Sequence, residues 1–533
     1  VTLRLPCFAA LLFAAAALAV SCTTDNPAFC DSQDENSCGP GLECNLFMKE
    51  CVLPEEVPAG CQDDSECTQA SEPICDEVIE ACRACAEGPE GDAECQFLDA
   101  GTDVCVAGEC RECADANDCS AATPECSALG TCELCDAAAG GDDACELRDP
   151  EVPLCGSGGQ CVQCRENADC QSTLCDAVAG TCIATDAVVF AAPGGTDADD
   201  CGAFGGTPCA TLGGPNGALA KLDAEEDRVY VRLAEGAYDE NVSLEGLTVI
   251  VLGDGADIRA AADAAPVLTI ENSDVELRGV TIRNARDSSA AHGILCTGDA
   301  GQDLRLVGAT ISNNQGRGIE AAGCDVSVVD SVVSDNDEGG IRLTGRTLEL
   351  VSSVVNGNRG GGLVARDSIS VFIVNNFIFR NGEPFGEIGA ASINTEDSQE
   401  PSVFDFNTIA ENSSATLESG GAIVECRSDV LIPRHNIVYG NVQGPSTLGN
   451  CEFFFSNIEG GNLVNNNIDL PPTFVDASGG DYHLAPGSAG IDAGDESSAI
   501  SVDIDGDVRP QGARLDMGAD EFVPGALQSL PSR

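Results

Sequence analysis

Tryptophan is absent from this 533-residue chain, aromatic residues make up only 4% of it, and histidine occurs three times. So few large apolar side chains cannot fill the single broad core of an ordinary enzyme domain this long. Basic charge is equally scarce: Lys49 and Lys221 are the only lysines, and 25 Lys and Arg face 89 Asp and Glu, for a formal charge of -64. Without basic runs the chain has no means of neutralising a phosphate backbone, which argues against nucleic acid as a partner. Long hydrophobic runs are missing beyond the first twenty residues, so no later segment is expected to span a bilayer. Cysteine and glycine are plentiful, at 32 and 60 residues, and they are unevenly placed.

The apolar run from Cys7 to Val20 behind Arg4 reads as an export signal over residues 1–21. Cysteine arithmetic then isolates one residue. Cys7 leaves with the signal, 24 cysteines lie from Cys30 to Cys182 and six lie beyond, so Cys22 is unmatched (32 - 1 - 24 - 6 = 1). A free thiol is a liability in an oxidising compartment. Leu18-Ala19-Val20-Ser21-Cys22 resembles the lipobox of bacterial lipoproteins, although Ala19 stands where that family usually has Leu. The resemblance implies acylation at Cys22 and a lipid bilayer as partner, with Thr23 in the following position permitting outer-membrane delivery. Simple secretion is the alternative. No sorting signal is read after Phe522, so any anchor is expected at the N-terminal side.

Residues 22–184 form an expected stalk. Over 23–184 there are 36 acidic and 5 basic residues (5 - 36 = -31), and the aromatics are Phe29, Phe47 and Phe97. Cysteines recur there in six groups of four, from Cys30 to Cys51, Cys61 to Cys82, Cys85 to Cys110, Cys113 to Cys132, Cys135 to Cys161 and Cys164 to Cys182. Six short modules in succession suggest a rod. The C-x2-C pairs between modules, such as Cys110/Cys113, have a zinc-like spacing, but export, even counts and the absence of His favour disulfides. Four cysteines allow three pairings, and spacing does not choose among them. The stretch resembles the cysteine-rich repeats of extracellular stalks.

From residue 187 to 470 a different period begins. Short β-branched runs end at Asn284, Asn313, Asn336, Asn358, Asn381, Asn412 and Asn441, at intervals of 29, 23, 22, 23, 31 and 29 residues. A Gly-rich turn and a second apolar run follow each, as in Gly340-Ile341-Arg342-Leu343. Strands this short need neighbours, and stacked in register they form parallel ladders. Asn suits a repeated corner because its amide both donates and accepts, and because it tolerates left-handed backbone. The fold class expected is all-β, a parallel β-helix solenoid preceded by a small disulfide-rich region. The pattern resembles the right-handed parallel β-helices of the pectin-lyase-like superfold.

Both ends of such a stack need closing. Val188–Tyr238, with a helix near 217–223, is similar to that family's N-terminal cap. Residues 471–522, through Asp481-Tyr-His-Leu484, Asp503-Ile-Asp505-Gly506-Asp507 and Leu515-Asp516-Met-Gly518-Ala519-Asp520-Glu521, resemble the closing segment of exported proteins called choice-of-anchor Q. Residues 523–533 are a tail. The remaining cysteines suit three local bridges, Cys201/Cys209, Cys296/Cys324 and Cys426/Cys451.

Polysaccharide-cleaving relatives of the superfold carry signatures that this chain lacks: Asn394-Thr395 is followed by Glu396, Asp199-Asp200 precedes the coils, and the His and Lys motifs are missing. No catalytic residue is assigned. Coil length offers one lead. Extra residues at 285–292, 382–390 and 413–420 would wall a saddle over the minimal coils, facing Arg317, Asp337, Glu338 and Arg359. Three coils span roughly 10–15 Å, enough for two or three sugar rings. An ordinary solvated turn is the bland alternative. Asp503, Asp505 and Asp507 resemble half of a Ca2+ loop, though Arg514 stands where an EF-hand requires Glu; a cap turn bonded to backbone amides is the alternative. The function expected is that of an envelope lipoprotein displaying a β-helix for binding or structural roles, with a cell-surface or environmental polysaccharide as the candidate ligand. A polysaccharide lyase or glycoside hydrolase with a non-standard site is the runner-up.

Overall fold

A computed structural model describes residues 183–525 except 223–228, 299–300, 396–400, 417–420, 428–430, 462 and 497. It describes most of 141–182, and short pieces around paired cysteines from 43 to 135. The expected signal, Cys22 and the first cysteine module's N-terminal half lie outside the described residues. Two compact units divide between Cys182 and Ile183.

In the first unit each described module closes with a hairpin whose third and fourth cysteines face one another, as Cys105 faces Cys110 and Cys175 faces Cys182. In the four modules from Cys85 to Cys182 those facing cysteines do not bond to each other. The bridges are interleaved instead, first to third and second to fourth: Cys85–Cys105 with Cys95–Cys110, and Cys113–Cys126 with Cys119–Cys132. The same order holds for Cys135–Cys155 with Cys145–Cys161 and for Cys164–Cys175 with Cys170–Cys182. Among the described residues of this unit, and apart from Leu174, the buried apolar residues are the cysteines themselves. The cross-links therefore take the place of a hydrophobic core.

The second unit is a parallel β-helix. One sheet of nine strands runs from Val242–Glu245 to Thr447–Gly449, each strand parallel to the one a coil earlier. A second sheet of seventeen strands bends around the other two faces of the coil. Period-two alternation sends one set of side chains inward: Ile294 and Cys296 stack on Ile319 and Ala321, then on Ile341 and Leu343 and on Leu363 and Ala365. These belong to one continuous buried cluster from Val189 to Ile458. The structure joins Cys296 to Cys324 and Cys426 to Cys451, and links Cys201 to Cys209 beside the first strand. Val188–Ala191 opens the stack parallel to Tyr230–Leu233, and a single turn of 3-10 helix, Ala218–Lys221, stands at the expected helix.

Two corners of the coil are held by buried side-chain ladders. At the first, the Nδ2 of Asn314, Asn336, Asn358, Asn381 and Asn412 each donates to the Oδ1 of the next ladder residue at 2.9–3.1 Å, ending on Asn441. Asn284 and Asn313 are not members, which corrects the expected ladder by one residue at its N-terminal end. Both are in the left-handed region, with φ of 68° and 56°, and so match Asp335, Gly357, Arg380, Glu411 and Gly440 of the later coils. Asn313 is followed by Asn314, and it is the second of the pair that turns inward. Ala285 occupies the ladder position one coil earlier and meets it only through its backbone N–H.

The second ladder lies five residues before the first in each coil: Ser331, Ser353, Asn376, Asn407, Asn436 and Ser456, linked as in Asn376 Nδ2 to Asn407 Oδ1 at 2.9 Å. Left-handed residues precede it too, from Asp330 and Ser352 to Asn375, Phe406, His435 and Phe455.

Residues 474–522 pack along the side of the stack, not over its end as expected of a cap. The reason is visible in the strands beneath: Phe377–Phe379 and Thr408–Ala410 are buried on both faces, whereas Val354–Asn356 alternates. Their outward side chains meet Tyr482, Ile504 and Ala519, and Ile437 meets Leu484 and Met517. Arg509 is wholly buried there, with its guanidinium 4.4 Å over the Phe406 ring, 3.2 Å from Glu521 and hydrogen-bonded to Asn375 and to the carbonyls of Gly518 and Ala519. Beyond the last coil a cavity of about 490 Å³ is lined by Thr447, Cys451, Phe453, Ile458, Val464 and Asn467. No helix among the described residues is long and apolar enough to cross a membrane.

Candidate functional site

The nine-stranded sheet gives the unit a face on which every coil contributes outward side chains at strand spacing. Register puts Leu295, Glu320, Arg342, Val364, Ser392, Glu425 and Leu448 in one row. Charge gathers at its second and third positions. Arg317 donates to Glu320 at 3.0 Å, and Arg342 approaches the other oxygen of Glu320 at 3.7 Å. His292 lies behind them, nearly buried, with its Nδ1 accepting from the backbone N–H of Arg317 at 3.0 Å. That bond puts the ring proton on Nε2. Burial pushes the His292 pKa below its ordinary value, with Glu320 opposing, so the ring is neutral at pH 7. One coil on, Arg366 pairs in register with Thr344, is exposed, and makes no ion pair with a described residue. Farther along the row Glu425 accepts from Ser392 at 2.9 Å and pairs with Arg427 at 2.9 Å.

The four residues expected around a saddle are not brought together. Arg317 turns onto the sheet face and Glu320. Asp337 lines a depression of about 430 Å³ with Asn284, Arg286, Asn313, Gln315 and Asp335, a set that includes neither Glu338 nor Arg359. Glu338 is exposed, and Arg359 pairs with Glu383 at 3.2 Å. Turn residues at one corner point away from each other when alternate backbone positions face solvent, which coil length alone does not reveal. The sheet row around Glu320 and Arg342 was missed because its residues sit inside apolar runs; the alternation in Gly340-Ile341-Arg342-Leu343 is the signal that marks Arg342 as outward.

The three aspartates expected to bind Ca2+ are also divided. Asp503 is buried and its carboxylate accepts from the backbone N–H of Asp505, Asp507 and Glu521 at 2.8–2.9 Å, which is the cap turn. Asp507 is exposed. Asp505 leaves the turn and reaches His483 Nε2 at 2.6 Å, while Asp481 meets His483 Nδ1 at 2.5 Å. Burial works against charge on His483, yet the hydrogen bond to Asp505, the nearby Asp520 and the bond to Asp481 lift it to about 9.

A family model supports the architecture. The family model described as right handed beta helix region matches residues 292–468. Among solved structures the chain is similar to a pectate lyase, Pel9A, at 15% identity, with 64% of this chain and 97% of that one covered and a TM-score of 0.43. It is also similar to a GH136 lacto-N-biosidase from Eubacterium ramulus, at 9% identity over 53% and 67% of the two chains, with a TM-score of 0.31. No curated protein sequence matches. The second unit is thus a right-handed parallel β-helix domain in an all-β chain.

Proposed function

We propose that the chain is an exported bacterial envelope protein, lipidated at Cys22, whose β-helix binds polysaccharide on the nine-stranded sheet. The cluster of Glu320 and Arg342 in that row, with Arg317 beside it and Arg366 one coil on, carries this reading. Planar guanidinium groups at strand spacing suit hydroxyl and carboxylate groups repeating along an extended sugar chain. The family match supports a β-helix, and the many disulfides support an oxidising compartment.

Retention of the oxidised chain on a panel of immobilised neutral and acidic glycans tests the site. The double variant Arg342→Ala, Arg366→Ala is expected to weaken retention at least 10-fold while Asp337→Ala and Glu338→Ala leave it unchanged. Equal retention of all variants would sink the reading, and release of shortened or unsaturated products would replace binding by cleavage. The mass of the mature N-terminus, taken after membrane extraction, tests the anchor.

A further inference from the structure

Away from the sheet face, the side-packed C-terminal segment gathers a second cluster. We propose that His483, Asp505 and Asp520 form a binding site for a divalent cation of the zinc class, with Asp481 orienting the imidazole. Each of the three offers one ligand atom, and those atoms all lie within 4.8 Å of one another. His483 and Asp520 are buried, whereas the Asp505 side chain is 25% exposed and leaves a route for the ion.

Three features make this more than a gathering of acids. The first is the donor set, one imidazole nitrogen with carboxylates, which suits zinc and its neighbours better than the all-oxygen shell of Ca2+. The second is the contact on the other ring nitrogen. Asp481 accepts from Nδ1–H and leaves Nε2, which faces Asp505, as the nitrogen that would ligate an ion once its own proton is displaced, an arrangement common behind metal-ligating histidines. Phe377, edge-on to the ring at 5.1 Å, fixes its plane. The third is charge: Asp481, Asp505 and Asp520 surround a single imidazole, with the buried Asp503 close by. A proton on the ring offsets one of those charges, and a divalent ion in its place offsets two.

The ligands come from three stretches of the segment: the strand Asp481–Leu484, the loop that holds Asp505, and the closing run that holds Asp520. An ion would tie them together.

The experiment uses the full oxidised chain, since reduced cysteine groups would compete for zinc. After removal of metal with a chelator, zinc is titrated calorimetrically, and bound metal is counted after gel filtration. One tight equivalent per chain is expected. His483→Gln and Asp505→Asn should lose it, Asp481→Asn should weaken it by about 10–100-fold, and Asp507→Asn should bind as the wild type does. Should His483→Gln not fold, Asp505→Asn at the surface decides alone. No tight equivalent in the wild type, equal binding by Asp505→Asn, or loss in Asp507→Asn as well would overturn the proposal and leave His483 as an imidazolium between carboxylates.

Discussion

The two units of this chain meet one requirement by opposite means. Both consist of short repeated strands that cannot fold alone. Among its described residues the cysteine-rich unit has almost no apolar interior beyond its sulfur atoms, and it restricts its unfolded chain covalently, with two crossed bridges in each of the four modules from Cys85 to Cys182. The coiled unit buries a cluster from Val189 to Ile458 and adds two hydrogen-bonded ladders, so that each repeat stabilises the next. Covalent repair acts module by module, whereas stacking propagates.

Reduction should break the comparison most visibly. With excess dithiothreitol and a protease, the region from 85 to 182 should be digested while 183–525 persists as a core fragment, read by mass spectrometry. Digestion of both together would show that the coils depend on their three bridges.

Within the coiled unit, Arg509→Met should cost about 3–5 kcal/mol in denaturant unfolding, because Glu521 is left charged and wholly buried. Ladder substitutions rank next. Asn358→Ala removes donors to Asn381 and to the Val333 carbonyl and should cost about 2–3 kcal/mol. Asn313→Ala, beside the ladder at φ 56°, should cost about 1 kcal/mol from its left-handed backbone alone. Equal costs would erase the distinction between ladder and corner.

The smallest effect concerns pH. Burial raises the Asp405 carboxyl to about 7, against the hydrogen bond from the Arg434 N–H and the Arg434 charge. A raised folded pKa means that its contribution is fully present below its ordinary value of 3.8 and is lost as pH rises through 7. Asp405→Asn keeps the acceptor without the charge. Its melting temperature should therefore gain on the wild type between acid and pH 8, by roughly 2–4 °C for each kcal/mol.

The coil and its Asn corner were legible because the same residue recurs where geometry allows few others. Where two candidates adjoin, as at Asn313 and Asn314, recurrence does not say which turns inward, and the reading slipped by one. The second ladder was hidden by chemistry: Ser331 and Ser353 do the work of Asn376 and Asn407, so no single letter repeats. Its fixed offset of five from Asn336, Asn358, Asn381 and Asn412 was nevertheless available. The side-on packing of 474–522 was foreshadowed by Phe377-Ile-Phe379, which breaks alternation. The sheet row around Glu320 depends on register between strands some 22 residues apart, which no local pattern discloses. The separation of Asp503, Asp505 and Asp507 has a related reason, since Asp505 finds its partner at His483 and not within its own loop.

The crossed bridges also decide how a module behaves when its ends are pulled apart. From Cys113 to Cys132 the backbone contains nineteen steps and could extend to roughly 65 Å, but the bridge from Cys113 to Cys126 bypasses all except the last six. Extended to the limit, such a module can lengthen to only about 25 Å, so tension travels through sulfur and a short peptide, and little slack is released until a covalent bond breaks.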